Sequence, residues 1–125
     1  MGGRQMDLAV PFACDMSALT AAQRAEHADV TRALFGAVTQ IRSGKDRYGF
    51  VLNGDDAVLA LAGRFIALER RCCPFFTFTL TVAPAAPTEL VVGGPPGVQP
   101  FIRAELGGHL GPATRFPDEP TEAAR

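Results

Sequence analysis

The sequence predicts an α+β fold: an antiparallel-rich sheet in the chain order β-α-β-β-α-β-β-α, with its helices packed on one face. Three observations predict it. The strand candidates place apolar residues at every second position and so have one covered side and one wet side. Two longer segments repeat apolar residues at helical spacing. The chain has 125 residues and 47% hydrophobic content, enough for one core and too little for two. A single α+β domain is therefore expected over residues 7–110, with 111–125, rich in Pro, Ala and charge, as a disordered tail.

The first strand is expected over residues 7 to 14, where Leu8, Val10, Phe12 and Cys14 alternate with Asp7, Ala9, Pro11 and Ala13. Pro11 limits it to a sheet edge, and Cys14 shares the phase of the inward residues. Thr20, followed three residues later by Gln23, is a capping-box pattern that starts a helix. His27, Val30, Leu34 and Val38 then recur at helical spacing. His27 lies on or beside this stripe, where a packed histidine is the commoner reading and a ligand role stays open. Val38 to Arg42 and Arg47 to Leu52 read as a hairpin around Ser43-Gly44-Lys45-Asp46.

Asn53-Gly54-Asp55-Asp56 ends that hairpin and supplies capping acids to the most clearly marked element, a helix from Asp55 to Arg71. Val58, Leu61, Phe65, Leu68 and Cys72 form one stripe, and Leu59, Ala62, Ile66, Glu69 and Cys73 a second beside it. Glu69 is the exception in that apolar width, and pairing with a nearby arginine at the stripe edge is its plain structural reading. Pro74 ends the helix at Cys73. Phe75 to Val82 follows as a strand with Phe76, Phe78, Leu80 and Val82 on one face and Phe75, Thr77, Thr79 and Thr81 on the other. A proline-bearing loop leads to a strand at Glu89 to Val92. Gly93-Gly94-Pro95-Pro96-Gly97 is a turn that lacks the lysine and glycine spacing of phosphate-binding loops. Phe101, Ile102 and Leu106 mark a short closing helix with Pro100 near its start.

A formal net charge of −1 and scattered basic residues argue against a nucleic-acid partner. No stretch is apolar enough to span a membrane, and the opening residues lack the apolar run of a secretory signal. Three cysteines, two of them adjacent, do not suit an extracellular disulfide framework, so the thiols are expected reduced in the cytoplasm.

The pair Cys72-Cys73 carries the functional reading. Adjacent Cα atoms lie about 3.8 Å apart, below the roughly 4.4 Å lower end of ordinary disulfides, so the pair suits offering sulfur to something else. Its place at a helix C-terminus opposes thiolate formation and counts against a self-activated nucleophile or a redox pair. Metal coordination removes that obstacle because it deprotonates the thiol outright. Cys72 and Cys73, with Cys14 as a third sulfur, would suit Hg(II), Cu(I) or As(III), and His27 or Glu69 is a candidate fourth ligand.

The stretch Leu68-Glu69-Arg70-Arg71-Cys72-Cys73-Pro74-Phe75-Phe76 resembles a family of small bacterial proteins marked by Glu-x-x-Cys-Cys-Pro-Phe. Cys14 and Gly94-Pro95-Pro96-Gly97 match the family's early cysteine and late turn, so the resemblance spans about residues 8 to 107. It implies heavy-metal, especially mercury, resistance surroundings. It supports the importance of Cys14, Glu69, Cys72 and Cys73 without supplying a reaction.

The reading that results is a soft-metal-binding or sequestering protein whose partner is a metal ion or small thiophilic ligand. One alternative is an enzyme of organomercurial-lyase-like chemistry with Glu69 as proton donor. Another is an interaction module with structural cysteines, dimerising across the Thr-rich sheet face.

Overall fold

Local sequence sets the elements one by one in the computed structural model, which describes residues 12–118. Helix α1 (Ala21–Gly36) starts at Thr20, whose hydroxyl accepts from the Gln23 N–H while the Gln23 side chain accepts from the Thr20 N–H. This is the reciprocal capping box that the spacing predicts. Strands β1 (Val38–Gly44) and β2 (Arg47–Leu52) form the hairpin. Its turn is tighter than expected, because the ladder runs out to Gly44 and Arg47 and leaves only Lys45 and Asp46 between them. Asp46 takes a φ of 55°, a left-handed conformation that its short polar side chain tolerates better than most.

Helix α2 (Asp56–Cys72) is capped by Asp55, whose carboxylate accepts from the Val58 N–H at 2.9 Å. Cys73 is its C-cap, directly before Pro74. Strand β3 (Thr77–Ala83) begins two residues later than the alternation suggests. Phe75 and Phe76 are instead drawn into a turn closed by the Phe76 N–H on the Cys73 carbonyl. Strand β4 (Ala86–Gly93) is longer than expected. Pro87 fits because it falls in the irregular stretch between the Ala83–Ala86 and Thr81–Glu89 pairs, beyond Thr88, the last partner of β2. Val82, predicted on the inward phase, lies within the same irregularity and is 56% exposed. Gly97, with a φ of 92°, makes the left-handed step into helix α3 (Val98–Leu106).

The strands lie in the order β1-β2-β4-β3, each antiparallel to its neighbours. Strands β2 and β3 therefore run the same way, joined through α2 with β4 between them. Register puts Tyr48, Val92 and Phe78 in one row and Phe50, Leu90 and Leu80 in the next, all on one face. The helices cover that face. Phe35 of α1 lies 5.1 Å, ring centre to ring centre, from both Phe50 and Phe65 of α2. Val98, Ile102 and Leu106 of α3 complete the core. The opposite face carries exposed Thr77, Thr79 and Thr81.

The first predicted strand lies mostly outside the described residues, and Phe12 to Cys14 carry no regular secondary structure. Their alternation survives: Phe12 and Cys14 are half-buried and Ala13 is exposed. Residues 111–118, expected as part of a loose tail, pack on the body. Phe116 is 3% exposed and lies against Tyr48 and Phe50, and Asp118 accepts from the Tyr48 hydroxyl at 2.6 Å. Residues 119–125 lie outside the described residues. No described helix is long and apolar enough to cross a membrane.

Candidate functional site

Three parts of the chain meet where α2 ends. The Cys72 carbonyl, which a helix terminus leaves without an intrahelical partner, accepts from the Asp15 N–H at 2.7 Å. The Asp15 carboxylate in turn accepts from the Ser17 N–H and holds the 3-10 turn Met16–Ala18. This tie brings the Cys14 Cα to 4.6 Å from the Cys73 Cα, and the two residues are joined by a disulfide. The expectation of three free thiols is corrected here. Adjacency disfavours a bond within the pair, but it leaves Cys73 free to bond a distant partner, and the inward phase of Cys14 supplies one.

Cys72 is the remaining free thiol among the described residues, and it is fully buried. Its Sγ lies 4.0 Å from Cys73 Sγ, 3.8 Å from Glu69 Oε1 and 3.6 Å from the Glu69 carbonyl oxygen. Burial first, then the negative charge of Glu69 and its contact with the thiol, pushes Cys72 up to about 12. At neutral pH it is a thiol that can donate to these oxygens.

Glu69 does not pair with an arginine at the stripe edge. It is 0% exposed, while Arg70 and Arg71 point to solvent. Its Oε1 lies 2.6 Å from His27 Nε2 and its Oε2 lies 3.5 Å from Cys73 Sγ. At 2.6 Å one proton must lie between imidazole and carboxylate. The bonded Cys73 sulfur has no proton, so that contact is packing. His27 is buried on α1 and its ring stacks on Phe65 with centres 6.2 Å apart. The two helices that carry this pair are also linked outside by Arg64, whose guanidinium donates to Glu26 at 2.6 and 2.8 Å.

Glu105 of α3 is a member of the site that sequence reasoning missed. Its Oε2 lies 3.5 Å from Cys14 Sγ. Burial, then the charge of Glu69, raises its pKa above the ordinary carboxylate range, with His27 opposing. The available signal was its spacing, since Glu105 follows Phe101 by four residues and Ile102 by three and so borders the apolar face of α3. His27, Glu69 and Glu105 open onto a cleft of about 210 Å³ whose wall also includes Thr31 and His109.

Three overlapping donor sets result, each with its ligand atoms within 4.8 Å of one another: Cys14, Cys72 and Cys73; Cys14, Glu69, Cys73 and Glu105; and His27, Glu69 and Cys72. The structure thus brings together the predicted site residues Cys14, Glu69, Cys72 and Cys73 with His27, the other candidate fourth ligand, and adds Glu105. Cys, Glu and His groups in this arrangement could hold a metal ion. Comparison of the chain with protein-family models, with curated proteins and with solved structures finds no match.

Proposed function

We propose that the protein binds or sequesters a soft, thiophilic ion, Hg(II), Cu(I) or As(III), through Cys14, Cys72 and Cys73 after reduction of the Cys14–Cys73 bond. The observation that carries this reading is the convergence of the three sulfurs, all within 4.8 Å. Three sulfurs around one ion at bond lengths near 2.3 Å stand about 4.0 Å apart. The Cys72–Cys73 sulfur separation is already 4.0 Å. Sulfur-only, low-coordinate ligation selects soft ions over zinc, whose structural sites take four ligands. Glu69, in contact with both Cys72 and Cys73, is the group placed to accept a proton as a thiol ionises. The resemblance around Glu69 to Phe76 points to the same class of ion.

The test is titration of phosphine-reduced protein with Hg(II), Cu(I) and As(III), followed by ultraviolet sulfur-to-metal absorption. One equivalent should bind tightly, and both Cys14→Ser and the Cys72→Ser/Cys73→Ser double variant should abolish that mode. Weak binding that Cys14→Ser leaves unchanged would overturn the three-sulfur reading.

The contacts of Glu69 favour a second reading, cleavage of a carbon–mercury bond. Thiolates of the pair would hold R–Hg, and a Glu69 proton would pass to carbon, releasing R–H and leaving Hg(II) on sulfur. Organomercurial incubated with the protein and excess thiol should then release hydrocarbon above the protein-free control, and Glu69→Gln should stop it. Release at the control rate would exclude this reading.

A further inference from the structure

The disulfide removes two of the three sulfurs from any metal chemistry, yet it leaves a complete set of different donors on the other side of Cys72. We propose that His27, Glu69 and Cys72 form a second metal site, for a borderline divalent ion such as Zn(II), that is competent while Cys14 and Cys73 remain joined. This does not depend on the three-sulfur reading, since neither Cys14 nor Cys73 takes part.

The geometry centres on one atom. Glu69 Oε1 lies 2.6 Å from His27 Nε2 and 3.8 Å from Cys72 Sγ, whereas Glu69 Oε2 is turned toward Cys73 Sγ at 3.5 Å. The carboxylate therefore divides its oxygens, one to the disulfide and one to the nitrogen and free sulfur. Tetrahedral zinc at about 2.0–2.1 Å from nitrogen and oxygen and about 2.3 Å from sulfur separates its ligand atoms by roughly 3.3–3.7 Å. The Glu69–Cys72 distance of 3.8 Å must close by about 0.1–0.3 Å, and the His27–Glu69 contact must open by less than 1 Å, both on the scale of small side-chain torsions. The ion would take the place of the single proton now held between imidazole and carboxylate. Thiolate, imidazole and carboxylate together suit zinc or cobalt, in contrast to the all-sulfur set, which suits soft ions.

Burial supports the same assignment. Glu69 is 0% exposed and Cys72 0%, so a carboxylate and a thiol are held in the core at a cost that a bound cation would offset. The donors come from two separate helices, α1 and α2, so their relative placement is fixed by core packing, not by a loop. His27 and Glu69 also line the cleft, from which water or substrate would reach a fourth position on the ion. Three protein ligands and one outward position are the pattern of zinc sites that bind water or substrate.

The experiment uses the full chain with its disulfide intact, checked by mass and by a count of one titratable thiol after denaturation. It is stripped of metal, then titrated with Co(II) and back-titrated with Zn(II). One equivalent of Co(II) should give tetrahedral d–d bands and a sulfur-to-cobalt charge-transfer band, both displaced by Zn(II). His27→Ala and Cys72→Ser should each weaken binding by more than about 100-fold, beyond the roughly 10–100-fold cost of losing a residue that only supports a ligand. The Cys14→Ser/Cys73→Ser variant should still bind Co(II) while it loses any three-sulfur Hg(II) mode, so the two readings fail separately. Absence of the charge-transfer band in the disulfide-intact wild type overturns the proposal whether or not the variants fold. So does loss of cobalt binding in folded Cys14→Ser/Cys73→Ser protein.

Discussion

Cys72 should be an unusually unreactive thiol, and the structure sets how unreactive. Its pKa is pushed from 9.0 to about 12 by burial and then by Glu69. At pH 8 roughly one thiol in 10 is ionised for the ordinary value and about one in 10⁴ for the shifted one, a loss of about 1000-fold. A more basic thiolate is a better nucleophile, and a Brønsted slope near 0.4–0.5 returns about 16–32-fold over three units. Ionisation alone therefore slows reaction with a disulfide reagent such as DTNB by about 30–60-fold. Full burial slows it further, because the sulfur must first be exposed by local opening. The assay is the DTNB rate of disulfide-intact protein at pH 8, with and without denaturant. Glu69→Gln should speed the native reaction by removing the second cause of the shift, yet leave it slower than the denatured rate because burial is the first. The sign for stability follows from the same ionisation. Native protein resists deprotonation, so this contribution is complete below pH 9, declines as pH rises from about 9 to about 12, and is lost above. A native rate at pH 8 within a few-fold of the denatured one would refute the reasoning.

Two further outcomes concern stability. Cys14→Ser removes a crosslink between residues 59 apart and should lower unfolding stability in denaturant by about 4 kcal/mol by the chain-entropy relation. Added phosphine should destabilise wild type toward the same value and leave the variant unchanged, and a variant as stable as oxidised wild type would remove the disulfide from the account. Phe116→Ala should cost about 3 kcal/mol by thermal or denaturant unfolding, since the ring is buried against Tyr48 and Phe50. An unchanged midpoint would mean that residues 111–118 do not close the core.

The alternation and helical spacing were legible because one-sided burial imposes them residue by residue. Thr20 and Gln23, Asp55 and Pro74 act within a few positions of themselves, so their effects could be read locally. What spacing cannot carry is the competition between neighbouring elements. Phe75 and Phe76 continue a strand pattern, but the helix end claims them for a turn through the Cys73 carbonyl. Val82 has the inward phase in the alternation, yet it falls in an irregularity of the ladder with β4 and is exposed. Phe116 sits in a segment whose composition reads as solvent-seeking, and its burial comes from packing against Tyr48 and Phe50, far away in sequence.

The site divides along the same line. The convergence of Cys14 on the Cys72-Cys73 pair could be anticipated from phase, because an inward residue ahead of α1 and a helix end at a proline both face the core. The partners of Glu69 could not, since His27 and Glu105 lie 42 and 36 positions away on helices whose relative rotation comes only from packing. Rotation decides the chemistry. A carboxylate turned to solvent would meet Arg70 or Arg71 and contribute little as an exposed ion pair. Turned inward, it is held between one imidazole and two sulfurs, with its two oxygens on different partners. The disulfide lies against one oxygen of that carboxylate and leaves the other to His27 and Cys72, so the oxidation state of Cys14 and Cys73 sets which donors could be offered to an ion.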